Sequence, residues 1–133
     1  MRFAILTKQA VDGEVGDLAA PAAAASAAPI AGPPPATVAV EEVAKGIWFL
    51  AGQSHHSVLV EFRDHLTLFE APQNDTRALA VIAKARELRP SKPLTHVVNS
   101  HHHFDHSGGI RAAVSEGLTV ITSKANEPFY EEA

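Results

Sequence analysis

The stretch Ser100-His101-His102-His103-Phe104-Asp105-His106-Ser107-Gly108-Gly109 stands at the exit of a mostly apolar run, and its reading turns on register. Only the frame His101-x-His103-x-Asp105-His106 puts a ligating side chain at every required position, because one residue later Phe104 would have to be a ligand. Imidazole nitrogen and carboxylate oxygen are both good donors for Zn²⁺, and a catalytic zinc keeps about three protein ligands with one position open for water. Side chains two apart on an extended segment share a face, so His101 and His103 can converge on one ion. Asp105 and His106 then need a tight bend to face a neighbouring ion. His102 points away in this geometry and reads as a solvated or outlying imidazole. A merely His-rich surface tract would bind metal loosely, but it has no use for Asp105 or for the glycine pair. The pattern implies the start of a two-ion zinc site of a hydrolase.

Working outward, residues 94–99 read as a buried strand, 108–116 as a helix closed by Gly117, and 118–122 as the next strand. Together they make a β-α-β unit with the ligand cluster at the carboxyl end of a strand, where open α/β sheets bind ligands. Gly108 and Gly109 serve either a close backbone approach or a plain turn. Upstream, 37–43, 47–50 and 57–62 read as strands, and Arg63-Asp64 turns into a fourth at 65–69. Alternation of Val58, Val60 and Phe62, and of Leu66 and Leu68, marks antiparallel strands with one buried face. A helix is expected from about 76 to 88, capped by Asn74 or Asp75 and ended by Pro90. Ala78, Val81, Ile82, Ala85 and Leu88 form its packing stripe, while Lys84, Arg86, Glu87 and Arg89 form its solvated face. His65 and His96 sit in strand contexts and read as structural.

In residue type and order, this arrangement resembles the metallo-β-lactamase fold superfamily from about Val40 onward: hairpin strands, a turn with an acidic residue, a helix, then a strand ending in H-x-H-x-D-H followed by Gly-Gly. The resemblance implies an α/β (α+β) fold, the N-terminal half of an αββα four-layer sandwich. It also implies that His101 and His103 are ligands of a first zinc and Asp105 and His106 of a second. The triple-His form with Gly-Gly is similar to glyoxalase II-type thioesterases and related hydrolases. Where the family has an Asp-x-Gly turn, this chain has Glu70-Ala71-Pro72, so no role is assigned to Glu70. The loop holding His55 and His56 overhangs the site in the family, which makes both candidate substrate contacts. The family's further ligands, a His, a bridging Asp and a final His, have no counterpart here, since neither His nor Asp follows His106.

Composition sets bounds. A net charge of −4 without a cluster of Lys and Arg excludes nucleic acid as an expected partner. With no cysteine, any metal must take nitrogen and oxygen donors. No apolar run approaches the ~20 residues of a membrane span. Phe3-Ala4-Ile5-Leu6, followed by Asp12, Glu14 and Asp17, is too short for a signal-peptide core, and no compartment is assigned. Residues 19–36 hold ten Ala and five Pro in eighteen positions and read as a disordered linker after a leader or upstream segment at 1–18. Every one of the eight histidines lies between positions 55 and 106, beyond that linker. The domain proper is expected at 37–133. At 133 residues, ending within a helix-like run at 128–133, the chain is expected to be the front part of a larger domain.

The activity that the resemblance implies is hydrolysis of an ester, thioester, lactone or amide-type small molecule by metal-bound hydroxide, with Asp105 orienting it or accepting a proton. The chain alone is expected to be inactive, because its first zinc has only two histidines. Two alternatives stand beside it: a non-catalytic metal-binding module, and a di-iron redox member of the same fold. An unfilled sheet edge implies self-association of the isolated chain.

Overall fold

In the computed structural model, which describes residues 36–132, six strands form one sheet in the order of the sequence. Strands β1 (Ala39–Ala44), β2 (Ile47–Ala51), β3 (Ser57–Glu61) and β4 (Leu66–Phe69) make an antiparallel meander. Strands β5 (Leu94–Asn99) and β6 (Thr119–Thr122) extend it in parallel from β4. A parallel neighbour requires a crossover. Helix α1 (Asp75–Leu88) supplies the first, and the short helices α2 (Phe104–Ser107) and α3 (Ile110–Ser115) the second. A 3₁₀ turn (Lys124–Asn126) leads into α4 (Glu127–Glu132). The leader at 1–18 and the linker at 19–36 lie outside the described residues, apart from Ala36.

The core lies between the sheet and the crossover helices. Trp48, Leu50, Leu59, Leu66, Leu68 and Val97 of the sheet meet Ala78, Val81, Ile82 and Ala85 of α1, with Leu88 packed against their edge. Burying a leucine fully is worth about 1.5–3 kcal/mol, so these contacts dominate the stability of the sheet–helix unit. Asn74 caps α1, its side chain accepting from the Arg77 amide at 2.9 Å.

One expectation is corrected. The core face of β3 is Ser57 and Leu59, not Val58, Val60 and Phe62. The reason is cross-strand register: Leu59 pairs with Trp48 and Ser57 with Leu50, and paired residues share a face, so the core side of β2 dictates that of β3. Phe62 ends up beyond the strand, stacked on His65 at 4.9 Å between ring centroids. The helix expected at 108–116 is present as α3, with Gly108 and Gly109 separating it from the additional short helix α2.

Arg77 faces inward from α1 and is fully buried. Its Nη2 donates to the Leu50 carbonyl at 3.1 Å and its Nη1 to the Thr37 carbonyl at 3.2 Å. Burial lowers its pKa from the ordinary arginine value. The guanidinium thereby pins the end of β2, where the loop carrying His55 begins. Among the described residues, no helix is long and apolar enough to cross a membrane.

Candidate metal centre

Strand β5 ends at Asn99, and the chain turns through 100–103 into α2, so the ligand stretch is a bend and not a continued strand. Ser107 knits this bend together: its Oγ donates to the His102 carbonyl at 2.7 Å and to that of His103 at 3.0 Å. Across from it, the turn at 70–74 is stitched to the same loop. The Gln73 amide donates to the Phe104 carbonyl at 3.0 Å, Ala71 to His106 at 3.2 Å, and Gly109 to the Ala71 carbonyl at 2.9 Å.

That stitching explains the glycine pair. A Cβ on Gly108 would lie 2.2 Å from the Gln73 carbonyl oxygen, and one on Gly109 would lie 2.4 Å from the Ala78 Cβ. Both have negative φ, so the demand is for space rather than for left-handed backbone. Of the two roles open to the pair, the close approach is the one realised.

His101, His103 and Asp105 each offer one donor atom, and those atoms all lie within 4.8 Å of one another. His106 stands beside this group, its ring centroid 4.2 Å from that of His101. Its Nε2 lies 3.7 Å from Asp105 Oδ2, while its Nδ1 faces Glu70 Oε1 at 3.7 Å. These last separations exceed hydrogen-bond length. All four residues of the H-x-H-x-D-H frame are thus brought together. The donor set is nitrogen and oxygen only, partly exposed to one side, and suits a divalent ion of the zinc class.

His102 lies outside the cluster. Its Nδ1 sits 3.3 Å from Asn126 Oδ1 and its ring stacks near Phe129 at 5.1 Å. His56 also turns away, accepting from the Gly52 amide at 3.3 Å and packing edge-on against Phe49 at 4.9 Å. His55 does not turn away: its Nε2 is 3.3 Å from Asp105 Oδ2. His65 and His96 form a separate pair, their ring centroids 5.3 Å apart.

Glu70 is the residue beside the candidate site to which the sequence assigned no role. It holds a left-handed backbone at φ 66°, which costs a residue with a Cβ of order 1–3 kcal/mol and is tolerated where the surroundings impose it. The surroundings are visible. Asn99 Nδ2 donates to Glu70 Oε2 at 2.8 Å, and the Ser100 amide donates to Oε1 at 3.2 Å. Asn99, almost fully buried, also donates to the His106 carbonyl at 2.9 Å and accepts from the Tyr130 hydroxyl. Burial raises the Tyr130 pKa, so it stays a hydrogen-bond donor over a wide pH range. The signal that could have found Glu70 was its place at the carboxyl end of a strand adjacent to the ligand strand.

On the flank of the loop an open trough of about 540 Å³ is lined by His103, Phe104, Ile110, Arg111 and Phe129 among others. Its lining is mostly apolar, with Arg111 contributing charge.

Residues 50–128 match the metallo-beta-lactamase superfamily. Among curated proteins, a linear primary-alkylsulfatase from a Pseudomonas species is 33% identical over 76 residues, covering 56% of this chain and 11% of its own length. Among solved structures, a metallo-beta-lactamase from Pseudomonas aeruginosa in its mono-zinc form superposes with a TM-score of 0.63 at 18% identity, covering 75% of this chain and 48% of the other. A metallo-beta-lactamase from Hirschia baltica superposes with a TM-score of 0.62 at 19% identity, covering 71% and 47%. The chain therefore spans about half the length of these structures and a much smaller share of the alkylsulfatase. With the family match covering more than half of its residues and the same fold in the solved structures, this chain belongs to the metallo-beta-lactamase superfamily.

Proposed function

We propose that this chain carries the first metal-binding motif of a zinc-dependent hydrolase acting on an ester, thioester, lactone or amide-type substrate. The observation that carries the reading is the convergence of His101, His103 and Asp105 donor atoms within 4.8 Å, with His106 beside them. Zinc, when bound, supplies a Lewis acid and lowers the pKa of its water from about 15.7 to about 7. The protein's own residues hold and aim the donors. Ser100 Oγ, 3.0 Å from His101 Nδ1, orients that ring. Glu70 and Asn99 hold the His106 end of the loop, and in this reading Asp105 accepts a proton from a nucleophile or orients it. The mostly apolar trough beside His103 suits a substrate with an apolar acyl or alkyl part, and the alkylsulfatase relative widens the ester class to sulfate esters.

Because the matched structures are about twice as long, turnover is assigned to a protein that holds this chain together with further ligands, and metal binding to the chain itself. The test is a calorimetric zinc titration of the 133-residue chain beside His103→Ala. Binding of at least one equivalent that the substitution abolishes supports the reading. Binding indifferent to His103, or none, overturns it for this chain.

A further inference from the structure

We propose that His55 is a metal ligand, completing with Asp105 and His106 a second donor set drawn entirely from this chain. The inference rests on the metal-centre reading above and adds a residue that the H-x-H-x-D-H frame does not contain.

Two of the donor–donor spacings are those found around one ion. In a tetrahedron with bonds of about 2.1 Å, neighbouring donor atoms stand about 3.4 Å apart. His55 Nε2 lies 3.3 Å from Asp105 Oδ2, and His106 Nε2 lies 3.7 Å from the same oxygen. The two imidazoles meet edge-to-face with centroids 5.9 Å apart, each presenting Nε2 towards the shared carboxylate.

The support behind His55 is of the kind that ligating imidazoles have. A ligand histidine uses its other nitrogen to hold its ring and tautomer. Here His55 Nδ1 lies 2.9 Å from Ser54 Oγ, and that oxygen accepts from Gln73 Nε2 at 2.7 Å. With Ser54 Oγ accepting from Nδ1–H as well, the Nε2 lone pair is left for a cation. Gln73 in turn belongs to the Glu70–Gln73 turn, whose two ends both hold positive φ, 66° and 69°. One strained turn thus orients His55 through Gln73 and faces His106 through Glu70.

The loop is also built to present one histidine and withhold the other. Arg77 fixes the Leu50 carbonyl at its start, and His56 is tied to Gly52 and packed on Phe49. His55 is left facing Asp105. The ion would be divalent and of the zinc class, with two nitrogen donors and one oxygen donor and a fourth position open.

The test titrates the 133-residue chain with zinc by calorimetry and with cobalt by absorption, for the unaltered protein, His55→Ala, His56→Ala and His103→Ala. Two equivalents are expected, with one lost or weakened by more than about tenfold in His55→Ala, no change in His56→Ala, and loss of the other in His103→Ala. Imidazole nitrogen NMR of the zinc-loaded chain, which does not depend on any variant folding, should show the metal shift at His55 Nε2. Unchanged affinity and stoichiometry in His55→Ala, or an unshifted His55 ring, overturns the proposal. If His103→Ala still loses an ion in that case, the metal centre stands without His55. If the unaltered chain takes no ion, both readings fall.

Discussion

Asn99 Nδ2 donates to Glu70 Oε2 at 2.8 Å, joining the last residue of β5 to the residue just past β4 across 29 positions of sequence. This bond is what makes the ligand loop a defined object. It holds a carboxylate beneath His106, and Asn99 spends its remaining capacity on the His106 carbonyl and the Tyr130 hydroxyl.

Replacing Asn99 by Ala should therefore remove the partner of the Tyr130 hydroxyl and leave the Glu70 carboxylate with only the Ser100 amide. A buried polar group stripped of its partner costs about 1–3 kcal/mol, so urea unfolding should shift by at least that much. Zinc affinity should fall by roughly 10–100-fold, as it does when outer partners of ligands are lost. An Asn99→Ala chain with unaltered stability and affinity would show the network to be incidental.

Gly109→Ala should destabilise the fold, against the usual sign of a glycine-to-alanine change near a helix. Alanine ordinarily gains roughly 0.5–1 kcal/mol through the unfolded chain. Here the new Cβ would lie 2.4 Å from the Ala78 Cβ and 2.9 Å from the Asn74 carbonyl, and forced overpacking costs about 1–3 kcal/mol. Denaturant midpoints of the variant and parent decide the sign.

Arg77→Leu should loosen the His55 loop as well as the core. The Leu50 and Thr37 carbonyls lose charged donors, each such bond being worth about 1.5–3 kcal/mol. Amide hydrogen exchange should rise over residues 50–56 beyond the change in global stability. Uniform exchange across the sheet would refute a local role.

Acid should expose the contribution of Glu61, at the end of the sheet away from the ligands. Hydrogen bonds from Lys92 and then Arg89 hold its carboxyl below the ordinary value of 4.5. A depressed folded pKa means that the stabilisation is full above the unfolded value and is lost as pH falls through the folded one. Metal-free Glu61→Gln should melt below the parent near neutral pH, and the gap should close at pH values under about 4.5. A gap independent of pH would mean that the carboxylate's charge plays no part.

The amino-acid sequence by itself determined the register of the candidate ligand frame, because Phe104 leaves only one alignment for His101, His103, Asp105 and His106. It also determined the element order and the packing stripe of α1, since both follow from local periodicity and capping. Tertiary structure decided which face of β3 is buried, because Val58 and Leu59 are both apolar and only pairing with Trp48 tells them apart. It alone separated His55 from His56, which are neighbours in one loop and chemically identical until Arg77 and Phe49 orient them. Glu70 was hidden for the same reason. Its role depends on Asn99 and His106, 29 and 36 residues away, and contacts at that separation leave no periodic trace in the chain that makes them.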